Sequence, residues 1–375
     1  MIRVSHVITN LGNGGAEAVL YRLCKTTPNV SHSVVSLMGE GKYGPLLRDM
    51  GIPVICLNMS RSRVSLSGLV RLRRFLRREQ PDVAQTWMYH ANLLGSLASW
   101  MAGHRTVVWG IRHSELEPGK SRGTTRIVAH ICAWLSRIMP CRIIVCAHRA
   151  AEVHADMRYD IRRMTVIENG YDLVDFRPDN SARAAVRRES DIAPTERVLG
   201  FVARFSPEKD HECLLAALAE LQAQRHTVRT LLVGPGMVRG NPDLTELIRR
   251  YRLEEQVLLM GPRGDIPAIM AALDLHVMSS SAEGFPNVLA EAMACGTPCV
   301  TTDVGDAAGI VGETGWVVPP GSPASLAEAI RAALEAMEDS SGWREREKAA
   351  RRRIQDEYSV SRMAQAYESV WHECI

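Results

Sequence analysis

The chain lacks the marks of several functional classes. Aromatic residues make up 5% of its 375 positions, and no aromatic-rich platform of the kind that stacks nucleic-acid bases accompanies its basic stretches. Its nine cysteines are an odd number, and no two form a C-x-x-C pair. They are therefore expected as reduced, mostly buried thiols. No apolar run reaches 18 residues; the best stretch, 127–147, is broken by His130, Arg137, Pro140 and Arg142. A transmembrane helix is not expected. No secretory leader precedes the strand-like opening, so the expectation is a cytoplasmic protein. A G-x-x-x-x-G-K-[ST] loop, an Asp-x-Asp triplet and a His/Cys cluster at metal spacing are also missing. Neither a P-loop ATPase nor a resident catalytic metal is implied, and no cofactor is expected.

Net charge is small, +3, but its distribution is uneven. Up to Arg177 there are 24 Lys and Arg against 13 Asp and Glu, a net of +11; the remainder carries 21 against 29, a net of −8. A basic first half suits an anionic surface or ligand. The segment 61–78, opened by Arg61 and closed by Arg78, holds seven arginines and no acid. Val64, Leu66, Leu69, Val70, Leu72, Phe75 and Leu76 are interleaved with them. The pattern fits a basic amphipathic helix lying on an anionic membrane, and equally a solvated helix face. Nucleic acid fits less well.

Apolar runs of strand length alternate with amphipathic helical segments throughout. Strands are expected at 4–9, 33–37, 54–57, 83–87, 106–111, 142–146 and 164–168, then at 198–203, 230–233, 257–260, 275–278 and 298–301. Such alternation argues for parallel sheets covered on both faces, and two series argue for two doubly wound α/β domains. The break runs from Asn169 to Asn180, which gives domains at 1–177 and 178–358. A final helix, 359–375, carries Met363, Tyr367, Val370 and Trp371 on one face and needs a surface to cover them.

Ligands of open parallel sheets bind beyond the carboxyl ends of the strands. There, Glu283-Gly284-Phe285-Pro286-Asn287-Val288 leads into a helix whose first amides suit phosphate or sugar oxygens, with Pro286 expected in its first turn. Glu291, about one turn further on, is an acceptor suited to a vicinal diol. The bland alternative makes both glutamates simple helix-N-terminal charges. After the strand at 198–203, Ser206 and Pro207 open a turn that puts Lys209, with Arg204 nearby, at the positive end of a helix. That placement is unfavourable, and a bound diphosphate would reverse its sign; the bland alternative is a solvated loop with Glu208 as counter-ion. Gly14 and Gly15 open a helix after the first strand and allow close backbone approach. The loop is not a dinucleotide fingerprint, because position 17 is Glu rather than Gly. His113 ends another strand, where an imidazole could face a ligand.

Together these stretches resemble glycosyltransferase family 4, over essentially the whole chain: the opening strand with its glycine loop to Glu17, Ile167-Glu-Asn-Gly-Tyr-Asp172, Arg204 with Lys209, and Glu283 with Glu291 around Gly-Phe-Pro-Asn. The resemblance implies the GT-B fold, two Rossmann-like domains facing across a cleft, with the terminal helix crossing back to the N-terminal domain. It implies a retaining, metal-independent, nucleotide-sugar-dependent transferase. Arg204 and Lys209 would neutralise the donor diphosphate, and Glu291 would hold the ribose. Glu283 and the Gly284–Asn287 backbone would contact the transferred sugar, with Val288 near the phosphates. Gly14 and Gly15 would close over the donor, His113 would stand near the anomeric centre, and Arg263 would lie beside the base. Glu168 departs from the family's usual proline. The reading is therefore a hexosyltransferase moving a sugar, from a UDP-sugar by preference, to a lipid-linked glycan acceptor in cell-surface polysaccharide or oligosaccharide assembly. It would sit peripherally on the inner membrane face. Two alternatives are a nucleotide-sugar 2-epimerase of the same architecture and a binding module without catalysis.

Overall fold

The computed structural model describes residues 1–60, 65–112, 123–226 and 228–375. Its contacts divide the chain into two units, Met1–Gly170 with Val360–Ile375, and Tyr171–Ser359.

In the first unit the strands are β1 (Arg3–Ile8), β2 (Ser31–Ser36), β3 (Val54–Cys56), β4 (Val83–Trp87), β5 (Val107–Ile111), β6 (Arg142–Val145) and β7 (Met164–Val166). They form a parallel sheet in the order β3-β2-β1-β4-β5-β6-β7. The connecting helices are α1 (Gly15–Thr26), α2 (Tyr43–Asp49), α3 (Leu66–Glu79), α4 (Tyr89–Ala102), α5 (Gly123–Leu135) and α6 (His148–Asp156). β1 is buried from its second residue to its last, as expected of a strand covered on both faces.

α3 spends its apolar stripe on the sheet. Leu72, Phe75 and Leu76 are buried against Val7, Val35 and the Ala91–Leu94–Ala98 side of α4, and Leu69 packs on the same cluster. Ser65 caps the helix by accepting a hydrogen bond from the Gly68 amide at 3.2 Å. Most of the apolar positions that suggested a membrane-lying face are thus core; Leu66 and Val70 remain exposed. Arg61 and Val64 lie outside the described residues.

The second unit opens with α7 (Asn180–Glu189), followed by β8 (Val198–Val202), α8 (His211–Ala223), β9 (Arg229–Val233), α9 (Pro242–Arg250), β10 (Val257–Gly261), α10 (Ile266–Ala272) and β11 (Leu275–Met278). It continues with α11 (Asn287–Ala294), β12 (Cys299–Thr302), α12 (Ala307–Val311), β13 (Trp316–Val318), α13 (Pro323–Ala336) and α14 (Ser340–Glu357). Its six parallel strands run β10-β9-β8-β11-β12-β13. β13 was not among the expected strands: it is a three-residue edge element, too short for alternation to show. A buried ion cluster ties α7 to the sheet. Asp274 accepts from Arg183 at 2.5 Å, from Arg187 at 2.7 Å and from the Val198 amide at 2.7 Å.

The last helix, α15 (Val360–Cys374), belongs to the first unit. Met363, Tyr367, Val370 and Trp371 are buried in one cluster with Val4, Ile8, Leu20 and Leu23. The Trp371 indole donates to Gln85 Oε1 at 3.0 Å. The stripe that needed a partner is covered by β1 and α1. No described helix is long and apolar enough to cross a membrane.

Candidate functional site

In a doubly wound sheet the ligand crevice opens where strand order reverses. In the second unit that point lies between β8 and β11, and both strands lead directly into the loops singled out in the sequence. After β8 the chain passes Arg204 and makes one 3-10 turn, Pro207–Lys209. Asp210 then adopts a left-handed conformation, φ 46°, and caps α8 by accepting from the Cys213 amide at 3.1 Å. The α-helix therefore starts four residues later than Ser206 and Pro207 suggested, and Lys209 precedes it. After β11, Ser279 donates to the carbonyls of Lys209 and Asp210 at 3.1 and 2.8 Å, and Ser281 N–H donates to the Glu208 carbonyl at 2.9 Å. The two loops are stitched together.

This brings Lys209 onto Glu283: the ammonium and carboxylate form an ion pair with both side chains largely buried. Ser280 Oγ donates to the same carboxylate oxygen at 2.7 Å. Arg204 is more exposed and donates to Glu208 at 2.6 Å. Burial alone would raise the Glu208 carboxyl, but hydrogen bonds from Arg204, the backbone and Ser206, with the Arg204 charge, bring it down to about 2. Each cation thus has a carboxylate of its own: Glu208, the counter-ion the sequence offered for this loop, pairs with Arg204, and Lys209 takes Glu283 instead.

Gly284 and Phe285 follow, and α11 begins at Asn287 with Pro286 as its cap, one residue later than expected. Its first turn presents backbone N–H groups beside Glu283 and Val288. Asn287 accepts from the Tyr171 hydroxyl at 2.6 Å. Glu291 is half-buried in the second turn. Neither glutamate is a first-turn helix charge, so that simpler explanation fails.

A third loop was not singled out in the sequence. After β12, Gly305 takes φ +58°, and a Cβ there would lie 2.3 Å from the Gly284 carbonyl oxygen. The Asp306 amide donates to that oxygen at 3.0 Å. Asp303-Val-Gly-Asp306 thus holds the Glu283–Gly284 backbone in place, and only glycine fits. Gly234, φ +137°, similarly closes on Ala203, where a Cβ would come within 1.9 Å of its carbonyl oxygen. That contact supports the Arg204 loop from the β9 side.

Arg263 follows the edge strand β10, two strands from β8. Its guanidinium is gripped by Asp265 at 2.7 and 2.8 Å and by Glu189 at 2.5 and 3.1 Å. It is not brought together with Arg204 and Lys209 in any described contact.

In the first unit the switch point lies between β1 and β4. Gly14 caps α1 and Gly15 is its first residue. The space over Gly14 is taken by Glu17, whose carboxylate oxygen lies 2.4 Å from where a Cβ would stand. Beyond β4, Met88 has φ 74° and ψ 159°, a conformation that costs a non-glycine residue of order 1–3 kcal/mol. His113 lies outside the described residues. Its neighbour Arg112, which the sequence reading passed over, donates to Asn169 Oδ1 at 2.6 Å and to the Tyr367 hydroxyl. It joins the end of β5 to the terminal helix.

The fold also assembles a His/Cys cluster that no local spacing announced. Ligand atoms of buried His6, Cys24 and His32 lie within 4.8 Å of one another. Hydrogen bonds fix the two rings. Trp87 N–H donates to His6 Nδ1 at 3.2 Å, so a neutral His6 carries its proton on Nε2 and donates to His32 Nδ1 at 3.0 Å. His32 Nε2 then donates to Thr27 Oγ1 at 2.8 Å, and that hydroxyl donates to the Leu23 carbonyl at 2.7 Å. A cation on His6 Nε2 and His32 Nδ1 would have to break this chain.

Two family models match the chain: one described as Glycosyltransferase Family 4 over residues 13–175, the other as Glycosyl transferases group 1 over residues 196–336. A UDP-Gal:alpha-D-GlcNAc-diphosphoundecaprenol alpha-1,3-galactosyltransferase from Escherichia coli is 25% identical over 318 residues, 81% of this chain and 80% of that one. A D-inositol 3-phosphate glycosyltransferase from Rhodococcus jostii is 37% identical over 168 residues, 42% of this chain and 37% of that one. The crystal structure of Anabaena HepE in complex with UDP superposes with a TM-score of 0.85 at 24% identity, covering 99% of this chain and 100% of that one. Two parallel Rossmann-like sheets and family matches over both halves lead to one assignment: the chain belongs to glycosyltransferase family 4 and is a nucleotide-sugar-dependent glycosyltransferase of the GT-B fold.

Proposed function

We propose that the chain moves a sugar from a UDP-sugar to a hydroxyl of a lipid-linked glycan in cell-surface polysaccharide or oligosaccharide assembly, with retention at the anomeric carbon and no divalent metal. The observation that carries the donor reading is the meeting of loops at the β8–β11 switch point: Lys209, Arg204 and the first turn of α11 supply positive charge where a leaving diphosphate develops negative charge. Fixed donors of this kind do the work a metal ion would otherwise do. A diphosphate at this point competes with Glu208 for Arg204 and with Glu283 for Lys209. Freed from Lys209, Glu283 can accept from hydroxyls of the transferred sugar, while Glu291 accepts from the ribose. Gly284, Phe285, Pro286, Asn287 and Val288 line the same turn. Gly14 and Gly15 are assigned to donor binding, Arg263 to the base, and His113 to the anomeric centre. The lipid-linked acceptor is supported by the diphosphoundecaprenol acceptor named for the Escherichia coli relative.

Incubation with UDP-sugars and a polyprenyl-diphosphate-sugar acceptor in EDTA tests this reading. Transfer that keeps the donor's anomeric configuration and is insensitive to EDTA is expected. Activity that appears only with added divalent metal, or an inverted product, contradicts it. His113→Ala should lower turnover far more than donor affinity; wild-type turnover would remove His113 from the centre.

A further inference from the structure

The helical layer formed by α3, α4 and α5 carries apolar side chains on its outward face as well as its inward one. α3 packs beside α4, and α4 beside α5. On its inner side α5 buries only small residues, Ala129, Cys132 and Ala133. Its outer side presents Ile127, Ile131, Trp134 and, just past its end, Ile138, at spacings of four, three and four; Trp134 is 69% exposed and Ile127 62%. On the neighbouring α4, Leu97 and Met101 are exposed as well. Large residues outside and small ones inside is the reverse of a water-facing helix.

The charge of this layer is overwhelmingly basic, with Glu79 at the end of α3 as its one acid among the described residues of the three helices. Residues 65–78, 89–105 and 123–138 hold eight arginines and three histidines, and no aspartate or glutamate. A second copy of the same face would set arginine against arginine, whereas an anionic surface is complementary. Exposed tryptophan and isoleucine framed by arginine combine two signals for interfacial membrane binding, apolar insertion and basic attraction.

We infer that the outer face of α3–α4–α5 docks on an anionic lipid surface, with Trp134, Ile131 and Ile127 of α5 entering the interface and the arginines facing the headgroups. This deepens the reading of a lipid-linked acceptor and rests on it for its purpose, though not for its chemistry. It also moves the apolar anchor from α3, whose stripe is core, to α5.

The test is flotation of the full chain with vesicles of phosphatidylcholine alone or mixed with phosphatidylglycerol, at low and high salt, for the wild type and the double variant Ile131→Ser, Trp134→Ser. Arg126→Glu with Arg137→Glu serves as a second variant. The wild type is expected to float with the anionic vesicles at low salt, and each double variant to lose roughly tenfold or more of its binding. Melting temperature and its shift by UDP should stay at wild-type values. Absence of wild-type flotation, or equal flotation of both variants, overturns the inference. So does a variant whose one change is loss of concentration-dependent self-association, since a second copy would then own the face. Transfer to a short-chain, water-soluble acceptor is measured alongside. Retained transfer without flotation rejects the docking face and leaves the transferase reading; flotation without transfer does the opposite.

Discussion

At Lys209 an ammonium already held by Glu283 sits where two loops meet, and its value to a ligand is the difference between two anions. Removing a charge-assisted hydrogen bond to a diphosphate costs about 1.5–3 kcal/mol, roughly a tenfold to hundredfold loss of donor affinity for Lys209→Ala. Met88 is a different kind of residue. Its φ of 74° beyond β4 stores strain that glycine would not feel. Met88→Gly is therefore expected to raise stability by about 1 kcal/mol in denaturant titration. A loss of that size would show that the side chain's packing, not the backbone, dominates there. The site residues were legible in unequal measure. Arg204, Lys209 and Glu283 stand out as candidates because charge at a strand-to-helix turn is locally odd, and Glu291 because it lies about one turn further into the same helix. Gly305 and Arg112 do not, because one acts by what its missing Cβ permits and the other through partners far along the chain.

Among the elements, strands were the easier to read. Buried parallel strands are continuous apolar runs, so β1, β4, β8 and β11 are visible as such, whereas β13 is too short to show any pattern. Helix faces were harder. Periodicity shows that α3 is amphipathic, but not whether its apolar side meets a sheet or a lipid; only the Leu72–Phe75–Leu76 packing decides that. The α7 anchor could not be read locally either, because Asp274 joins Arg183 and Arg187 across more than eighty residues. Arg187 and Asp274 are both nearly fully buried. Removal of the shared carboxylate leaves two guanidinium groups short of a partner, so Asp274→Ala should cost about 3–5 kcal/mol. The measurement is equilibrium unfolding in urea; a cost under about 1 kcal/mol would mean that water replaces the carboxylate freely.

At the scale of the whole molecule, His6, His32, His211 and His276 are buried and held in neutral form. Burial lowers His6 well below the usual imidazole range, His32 and His211 to about 4, and His276 to about 3, with the Lys209 charge adding to the last two. In the unfolded chain each titrates near 6.5. Above that pH neither state binds these protons; below it the unfolded chain takes them first, and stability falls until the folded values are reached. Between pH 6.5 and 5 each histidine should remove about 2 kcal/mol, seen as a falling urea midpoint. A midpoint unchanged or rising over that range would contradict neutral burial. The same Lys209 that disfavours charge on His211 and His276 is the centre of the donor reading, and titration of UDP in EDTA into the wild type and Lys209→Ala tests that reading most directly. The expected result is metal-free binding by the wild type, weakened roughly tenfold or more in the variant. Equal binding by both proteins, or binding that vanishes on chelation, would contradict it.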